Sequence, residues 1–359
     1  MTQTTNKNPT TQSILIAGFG PAGASTAIFL AKQGFKVTVI EKREVAKLNT
    51  GLKPGESLPP DAKKLLEQLD CWHDFEKDNH LKCYANVSYW RSEKATYHDF
   101  IEHPIGHGWH IDRIIFETML RDKALSLGIT LIENNSINSL SFKGDQWHIQ
   151  FNQPTTTNHF DYIIDATGRS SVIARKLGFD KLYDSQQLAL ITFLQASDHI
   201  EDSNTLVETV PQGWWYSASI PGNRLACAFF FDPEKHQFKG FQQAQNWWSL
   251  VKQAKKTHKR IKNNAFELIE LPKMVNADST ILEKISGQNW LAVGDAAMTY
   301  DPIASHGLMM SMVSARDASQ AIKAHSQKQN KDQNNALEQY AQRLYQSFME
   351  YRKLRQGFY

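Results

Sequence analysis

The residues with the clearest chemical meaning form the glycine-rich run GFGPAG, Gly18 to Gly23, which follows a short apolar segment and opens a helical pattern. In a strand–turn–helix unit the first glycine permits a tight turn, the second lets the backbone approach a pyrophosphate, and the third lets the helix pack on the strand. The helix N-terminus adds free N–H groups and a positive dipole. Glu41 ends the next apolar segment about 20 residues on, where a carboxylate accepts hydrogen bonds from ribose hydroxyls. The pattern predicts dinucleotide binding and leaves both FAD and NAD open.

Two later turns help to distinguish FAD from NAD. The segment DATGR, Asp165 to Arg169, places a glycine turn directly after a predicted strand. The segment GDAAMTYDPIASHGLMMS, Gly294 to Ser311, places the carboxylate of Asp295 after the apolar run NWLAV and a bare glycine, Gly307, at the start of a helix. A helix N-cap alone would explain Asp295 but not the Asp-Pro pair and the glycine that follow it. A simple NAD domain needs neither turn, so the set favours FAD.

These turns need strands and helices to bring them together. Apolar spacing predicts a strand at Ser13 to Ala17, a helix at Pro21 to Gln33 and a second strand at KVTVIE, which form a βαβ unit. A strand-rich region from about Gln187 to Asp232 contains the hairpin turn Pro221-Gly222-Asn223, and a charged helical piece follows at about 241–261. The order of α/β, β-rich and again α/β segments predicts a nucleotide-binding domain interrupted by a substrate domain built on a sheet.

The predicted domain limits follow that order. The nucleotide-binding domain comprises residues 1–80, 105–183 and 286–325, the substrate domain comprises residues 81–104 and 184–285, and a C-terminal helical segment comprises residues 326–359.

Composition disfavours several classes of protein. The 359 residues are 41% hydrophobic and 21% charged with a net charge of +3, which is typical of a soluble globular protein without a nucleic-acid footprint. Three widely spaced cysteines argue against a disulfide framework and a zinc site, so no metal is expected. The N-terminus lacks the signal-peptide pattern, and no apolar run approaches the roughly 20 residues that span a bilayer. We expect a cytoplasmic protein with no nucleic-acid or membrane partner; its oligomeric state stays open.

Six segments, taken in order, resemble the FAD-dependent monooxygenases with a glutathione-reductase-like FAD domain, a superfamily that includes the tryptophan halogenases. They are GFGPAGAS, GESLPP, GWHIDR, DATGR, GWWYSASIP and GDAAMTYDPIASHGL, and they extend across nearly the whole chain. The resemblance implies an α/β fold in which a glutathione-reductase-like (Rossmann) FAD domain carries an inserted β-sheet substrate domain. This is a p-hydroxybenzoate-hydroxylase-like architecture, here followed by a C-terminal helix.

The resemblance also implies roles for individual residues. Asp295 holds the ribityl chain of the flavin, Pro302 forms a wall beside the ring system, and the N–H groups of Gly307 and Leu308 face the pyrimidine oxygen. The full cofactor set that it implies is Gly18, Gly20, Pro21, Ala22, Gly23, Glu41, Lys42, Ser57, Arg113, Ile137, Gly168, Asp295, Pro302, Gly307 and Leu308. Glu56 and His306 are the candidate catalytic acid–base residues, although a buried, hydrogen-bonded histidine is the simpler interpretation of His306.

The halogenase branch of the superfamily is disfavoured by three positions. Halogenases carry a catalytic lysine, a glutamate beside it and the signature WxWxIP. Lys82 precedes Trp90 at a spacing that resembles the lysine region, but Ala304 stands at the glutamate position, and Tyr216 and Ala218 stand at the tryptophan positions of the signature. The short chain and the variants GESLPP, GWWYSA and DPIASHG look more like the lysine-oxidase and glycine-oxidase maturases, flavoproteins that act on the precursors of tryptophylquinone enzymes.

The resemblance therefore implies a monooxygenase that hydroxylates a tryptophan of a partner protein, the precursor of a quinone-dependent oxidase. It would use FAD, O2 and electrons from NAD(P)H or a separate reductase, because no second GxGxxG segment is present. Trp214, Trp215 and Tyr216 are predicted to line the substrate pocket, with a purely structural core as the alternative. Three other functions stay open: hydroxylation of a free aromatic molecule, halogenation, and a flavin-binding chaperone without redox activity.

Overall fold

The computed structural model describes residues 11–48, 51–236, 240–241, 243–305, 307–327 and 335–358. The strands within these residues are β1 (Ser13–Ala17), β2 (Lys36–Ile40), β3 (Ser57–Leu58), β4 (Leu81–Cys83), β5 (Ala85–Tyr89), β6 (Thr96–Asp99), β7 (Gly108–His110), β8 (Thr130–Ile132), β9 (Ile137–Lys143), β10 (Gln146–Phe151), β11 (His159–Phe160), β12 (Tyr162–Asp165), β13 (Lys181–Ser185), β14 (Leu188–Gln195), β15 (Thr205–Val210), β16 (Gly213–Ile220), β17 (Arg224–Phe231), β18 (Glu267–Leu268), β19 (Lys273–Asn276), β20 (Ser279–Leu282), β21 (Ser286–Gly287), β22 (Trp290–Ala292) and β23 (Met298–Thr299).

The helices within the same residues are α1 (Pro21–Lys32), α2 (Val45–Leu48), α3 (Ala62–Gln68), α4 (Trp72–Lys77), α5 (Arg113–Ser126), α6 (Val172–Lys176), α7 (Ala244–Val251), α8 (Lys255–Asn263), α9 (Gly307–Ser326) and α10 (Ala336–Gln356). Short 3-10 turns lie at Gly168–Ser170, Gly294–Ala296 and Pro302–Ala304. None of these helices combines the length and the apolar character needed to cross a membrane.

A six-stranded sheet in the order β21-β22-β12-β1-β2-β8 forms the first layer. All its neighbouring pairs are parallel except β21 with β22. Strand β1 is a nearly continuous apolar run that is buried on both faces, as expected of a central parallel strand. Helix α1 connects β1 to β2, so the predicted opening βαβ unit is confirmed.

The second large sheet has the path β18-β14-β17-β16-β15-β5-β6, with β19 also paired to β14. The predicted hairpin turn at residues 221–223 joins the antiparallel strands β16 and β17. One face packs on α7 and α8 and buries a core that includes Trp215, Phe229 and Trp247. The opposite face points toward the glycine turns of the first layer. Strands β5 and β6 belong to this sheet, but the domain limits themselves stay a prediction.

The single helical piece expected at about 241–261 is instead two helices, α7 and α8, with residues 252–254 between them. The cause lies on β15, where the buried carboxylate of Glu208 accepts hydrogen bonds from the N–H groups of Lys256 (3.0 Å) and Thr257 (2.8 Å). A carboxylate at these N–H groups stabilises a new helix N-terminus. A contact from a distant strand therefore decides where α8 begins.

Helices α9 and α10 lie together beside the first layer. The buried hydroxyl of Tyr340 in α10 donates to the carbonyl oxygen of Ala292 in β22 at 2.8 Å. Three small antiparallel sheets complete the fold, formed by β9–β11, by β13, β20 and β23, and by β3, β4 and β7.

Candidate active site

The first glycine turn is held by close backbone contacts. Gly18 has φ +101°, and a Cβ built there would lie 2.4 Å from the carbonyl oxygen of Ala166. A Cβ at Gly23 would lie 2.0 Å from the carbonyl oxygen of Gly18. Both approaches are possible only for glycine, because any side chain at either position would collide with backbone. These two glycines bring the turn, the helix and the neighbouring strand into contact.

Gly20 has a different role in the same turn. A Cβ added there would meet nothing within 4 Å, so the position faces open space. Gly20 is also the N-cap of α1, it offers no side-chain cap, and Pro21 follows at the first helical position. The first N–H groups of the helix therefore have no side-chain acceptor, which fits the binding of a phosphate group.

The second turn is built around Asp165. Its buried carboxylate accepts hydrogen bonds from the Thr167 hydroxyl (2.6 Å) and from the N–H groups of Ile173 (2.8 Å) and Ala174 (3.0 Å). Burial raises the pKa of Asp165, and these hydrogen bonds oppose that rise. Gly168 follows with φ +64°. The carboxylate thus fixes the turn and leaves Gly168 and Arg169 at the surface of the site.

The third turn brings Asp295 to the same place. Gly294 has φ +55°, and a Cβ there would lie 2.7 Å from the Cβ of Ala22, so the turn packs directly on the start of α1. The Asp295 side chain is 45% exposed, and its Oδ2 lies 3.8 Å from Nε of Arg169. Lys181 Nζ donates to the Asp295 carbonyl oxygen at 2.9 Å, and burial lowers the pKa of this lysine to about 8.

These turns surround one cavity of about 400 Å³. The predicted site residues that line it are Gly20, Pro21, Ala22, Glu56, Ser57, Arg113, Gly168, Tyr216, Asp295, Pro302, Gly307 and Leu308. Six segments that are far apart in the sequence therefore meet at a single site. The position of His306 lies outside the described residues.

The other wall of the cavity comes from one face of the eight-stranded sheet, and sequence reasoning missed most of it. Its members are Ala189 and Ile191 of β14, Ala226, Ala228 and Phe230 of β17, and Val275 of β19. In the strand register Ala228 lies between Ile191 and Tyr216. Alanines at these positions leave space that larger residues would fill. The alternating small residues of RLACAFFFD are the sequence signal that could have revealed this face.

The three consecutive aromatic residues on β16 have three different surroundings. Tyr216 lines the cavity. Trp214 is stacked on Phe230, with ring centroids 4.1 Å apart, and lines a separate groove. Trp215 is fully buried in the core between this sheet and α7, and its ring centroid lies 5.9 Å from that of Trp247. The prediction that all three line one pocket is therefore corrected to Tyr216 alone. Trp215 points to the opposite face, because successive side chains of a strand alternate between faces. Trp214 shares the face of Tyr216 but lies at the end of β16 that borders the groove.

Five other predicted cofactor residues do not line the cavity. Gly18 and Gly23 shape the turn behind it. Glu41 is buried, and its carboxylate accepts a hydrogen bond from the Phe19 N–H at 3.0 Å, which stabilises the same turn. Lys42 is exposed next to it, and Ile137 is buried in the core of the first layer.

A family model described as an FAD binding domain matches residues 11–347. The protein belongs to this FAD-binding family. It is an FAD-dependent oxidoreductase, as the resemblance implies, and the three turns correctly predicted FAD.

Similar proteins support the same assignment. LodB of Marinomonas mediterranea, named as an FAD-dependent oxidoreductase, is 24% identical over 344 residues, covering 94% of this chain and 89% of LodB. The crystal structure of CmlS, a flavin-dependent halogenase, has a TM-score of 0.84 at 24% identity and covers 96% of this chain and 64% of CmlS. QhpG, a peptidyl tryptophan dihydroxylase essential for tryptophylquinone cofactor biogenesis, has a TM-score of 0.75 at 20% identity and covers 97% and 75%. These structural likenesses confirm the predicted fold class; this chain spans just under two thirds of CmlS.

In the oxidoreductase, Glu56 is a deeply buried acid at the wall of the cavity. Burial raises its pKa, and a hydrogen bond from the Tyr216 hydroxyl is the strongest opposing effect. The Ser57 hydroxyl lies 2.9 Å from the Tyr216 hydroxyl, so Ser57 can donate to Tyr216 while Tyr216 donates to Glu56. Burial therefore favours a proton on Glu56, whereas the hydrogen bonds donated along this chain of three side chains favour its carboxylate form.

Arg113 closes the same side of the site. Asp112 caps α5 by accepting the N–H of Ile114 at 2.9 Å, which sets Arg113 as the first residue of the helix. Its guanidinium donates to the carbonyl oxygens of Pro54 (2.6 Å) and Gly55 (3.0 Å) and to the Glu117 carboxylate. Arg113 therefore ties the loop that carries Glu56 to α5 and contributes positive charge to the cavity.

Proposed function

We propose that this protein is an FAD-dependent monooxygenase that hydroxylates a tryptophan side chain of a partner protein, the precursor of a tryptophylquinone-dependent oxidase. The likeness to QhpG, a peptidyl tryptophan dihydroxylase, and to LodB supports this choice within the superfamily. When bound and reduced, FAD supplies the electrons with which O2 is activated for oxygen transfer. NAD(P)H or a separate reductase supplies electrons to the flavin.

The observation that carries the proposal is the composition of the cavity wall. No described residue that lines the cavity is a lysine. Lys82, the residue nearest to the halogenase pattern, is exposed on β4 and does not line it. Ala304 lies between the lining residues Pro302 and Ser305, and its methyl group replaces a carboxylate. Among the described residues of the cavity wall, the side chains that guide hypohalous acid in a halogenase have no counterpart, which favours oxygen transfer over halogenation.

The chain's own residues hold the cofactor on one side of the cavity. The N-terminus of α1 would hold the pyrophosphate, Asp295 would bind the ribityl hydroxyls, and the first N–H groups of α9 at Gly307 and Leu308 would stabilise charge on the pyrimidine oxygen. Each is a donor or acceptor of the type that the corresponding part of FAD requires. Pro302 shields the ring system from water.

The sheet side of the cavity receives the aromatic substrate. Ala226, Ala228 and Ile191 give an apolar floor, and Phe230 and Tyr216 offer flat ring surfaces to an indole. In its carboxylate form, Glu56 would accept at its carboxyl oxygen the proton that the substrate ring loses. Closing these walls around an apolar ring excludes water, which strengthens the hydrogen bonds that orient it.

Co-expression with a precursor of a quinone-dependent oxidase tests this function. Mass spectrometry of the precursor should find oxygen added to one tryptophan only when the flavoprotein is present. A precursor whose tryptophan gains no oxygen would refute the proposal. A halogen on that residue in medium that contains bromide would support halogenation instead.

A second candidate is hydroxylation of a free aromatic molecule, because the apolar sheet side of the cavity would accept an aromatic ring whether or not the ring belongs to a protein. Turnover of a free indole with coupled O2 consumption, without oxygen gain by the precursor, would support it. The flavin absorption should bleach with NAD(P)H or a reductase and recover with O2. A flavin that never cycles would instead support the chaperone alternative.

A further inference from the structure

A second and larger hollow, a groove of about 1050 Å³, lies at one end of the eight-stranded sheet. It is formed where β5, β15 and β17 end and where β14 and β16 begin. Its volume is at the upper limit of ordinary small-molecule sites. Its walls are mainly polar, so a small apolar substrate would not fill it. The walls of the cavity of about 400 Å³ proposed to hold FAD, called the FAD cavity below, are mainly apolar.

The groove and the FAD cavity share one residue, Phe230. Phe230 stacks on Trp214, and the Trp214 ring lies 6.1 Å from that of Trp90, which also lines the groove. A continuous row of aromatic rings therefore leads from the groove to the cavity wall. Flat rings of this kind bind other aromatic and apolar side chains with little loss of conformational entropy.

Three residues of the groove wall carry hydrogen-bonding atoms without partners. Ser185 Oγ, Gln212 Oε1 and Trp214 Nε1 are buried, and none makes a hydrogen bond with the described residues. All three side chains belong to residues that line the groove. A buried polar atom without a partner destabilises the fold, and a ligand in the groove would relieve that cost once these side chains turn toward it. The set contains donors and acceptors, which matches the alternating N–H and C=O groups of a polypeptide backbone.

We propose that this groove binds the polypeptide segment on either side of the target tryptophan, and that the target side chain reaches the FAD cavity across Phe230. This inference rests on the proposed function and deepens it, because it distinguishes a peptide-bound substrate from a free indole. The flanking backbone bonds to Ser185, Gln212 and Trp214, and flanking apolar side chains pack on Trp90. Charged residues of the groove include both signs, such as Glu93, Asp232, Lys235 and Lys256, so the segment needs no strong net charge.

The test uses the FAD-loaded protein immobilised on a support. The probes are two pools of acetylated and amidated eight-residue peptides with random flanks, one with tryptophan and one with leucine at a central position. The wild-type protein should retain the tryptophan pool on the order of tenfold more strongly. The double variant Ser185→Ala/Gln212→Ala should lower that retention on the order of tenfold, because two hydrogen bonds to the ligand are lost.

Two controls separate a specific effect from a folding defect. Gln245→Ala removes an exposed amide on α7 outside the groove and should leave retention unchanged. The double variant should melt at the wild-type temperature or higher, because Ser185 Oγ and Gln212 Oε1 have no partner among the described residues. N-acetyltryptophanamide enters the cavity without flanking residues, so its affinity should be the same for the double variant and the wild type.

Equal retention of the two pools by the wild type, or unchanged retention by the double variant, would overturn the groove assignment. An equal loss of affinity for N-acetyltryptophanamide would overturn it as well, since the effect would then belong to the cavity. Failure of the proposed function has a different signature. Peptides that bind in the groove but gain no oxygen would refute hydroxylation and leave the groove assignment intact.

Discussion

Nε of Arg355 lies 3.0 Å from Oδ2 of Asp301, which joins the last turns of α10 to the Asp-Pro segment of the active site. The Asp301 side chain is fully buried, and its Oδ1 also accepts the N–H of Ile303 at 3.0 Å. From the same helix, the Tyr351 hydroxyl accepts the N–H of Asp301 at 2.8 Å. The C-terminal helix therefore holds the backbone that presents Pro302 to the cavity, and it is part of the structure of the candidate active site.

Replacing Arg355 should weaken FAD binding without removing any residue that lines the FAD cavity. The Arg355→Ala variant leaves a buried carboxylate without its cation, which costs about 3 kcal/mol and loosens the turn before Pro302. We expect the FAD dissociation constant, measured by flavin fluorescence, to rise about tenfold or more, and Arg355→Lys to restore part of the loss. The exposed residue Lys353 on the same helix gives a matched control, because Lys353→Ala should bind FAD normally. Normal FAD affinity in Arg355→Ala would show that α10 does not support the site.

Asp295 should contribute to FAD affinity and little to folding. Its only ion pair in the described structure is the 3.8 Å contact with Arg169, and the carboxylate is 45% exposed, so this pair adds well under about 1 kcal/mol to stability. Asp295→Ala removes an acceptor for the ribityl hydroxyls and should lower FAD affinity about tenfold. Equilibrium dialysis of FAD measures the change. The exposed carboxylate of Asp180, next to Lys181, gives a control, because Asp180→Ala should not change FAD affinity. Full FAD occupancy in Asp295→Ala would mean that the flavin lies elsewhere.

The buried carboxyl of Glu56 should make stability fall as the pH rises. Burial raises its pKa in the folded protein, so the unfolded chain loses this proton first, and folding becomes less favourable above the ordinary glutamate pKa of about 4.3. The stabilising effect of the proton is complete below that value and is lost as the pH passes through the raised pKa. Thermal unfolding from about pH 5 to about pH 8 should therefore show a growing advantage for Glu56→Gln over the wild type. Glu350→Gln, an exposed site on α10, should follow the wild-type curve; a constant offset for Glu56→Gln would contradict the prediction.

Sequence reasoning was most successful where function imposes a local pattern. The βαβ opening and the three turns depend on glycines, carboxylates and apolar runs that lie within a few residues of each other, and the hairpin at residues 221–223 is equally local. The face on which Trp215 points could not be read from three consecutive aromatics, because the phase of a strand is set by the layers on both sides. The same limit hid Ala226 and Ala228.

Contacts between distant segments were beyond the sequence for a different reason. Arg355 and Asp301 are separated by 54 residues, and nothing in either neighbourhood indicates the other. The break between α7 and α8 depends likewise on Glu208, 48 residues before Lys256. Such pairs form only after the sheets and helices are packed, so a pattern within one segment carries no trace of them.

The space for a substrate on the sheet side of the cavity should depend on one alanine, Ala228. It lies between Ile191 and Tyr216 in the strand register and lines the cavity, so a leucine there would occupy the space proposed for the indole. Ala228→Leu should weaken the binding of N-acetyltryptophanamide by about tenfold or more and leave FAD affinity within about twofold, because the leucine lies on the sheet side. Titration of the flavin absorption with the amide measures the first quantity, and dialysis measures the second. Ala228→Ser, which adds only one oxygen atom, should stay close to the wild type. If Ala228→Leu instead binds the amide normally but loses FAD, the sheet side of the cavity belongs to the cofactor and the substrate enters from another direction.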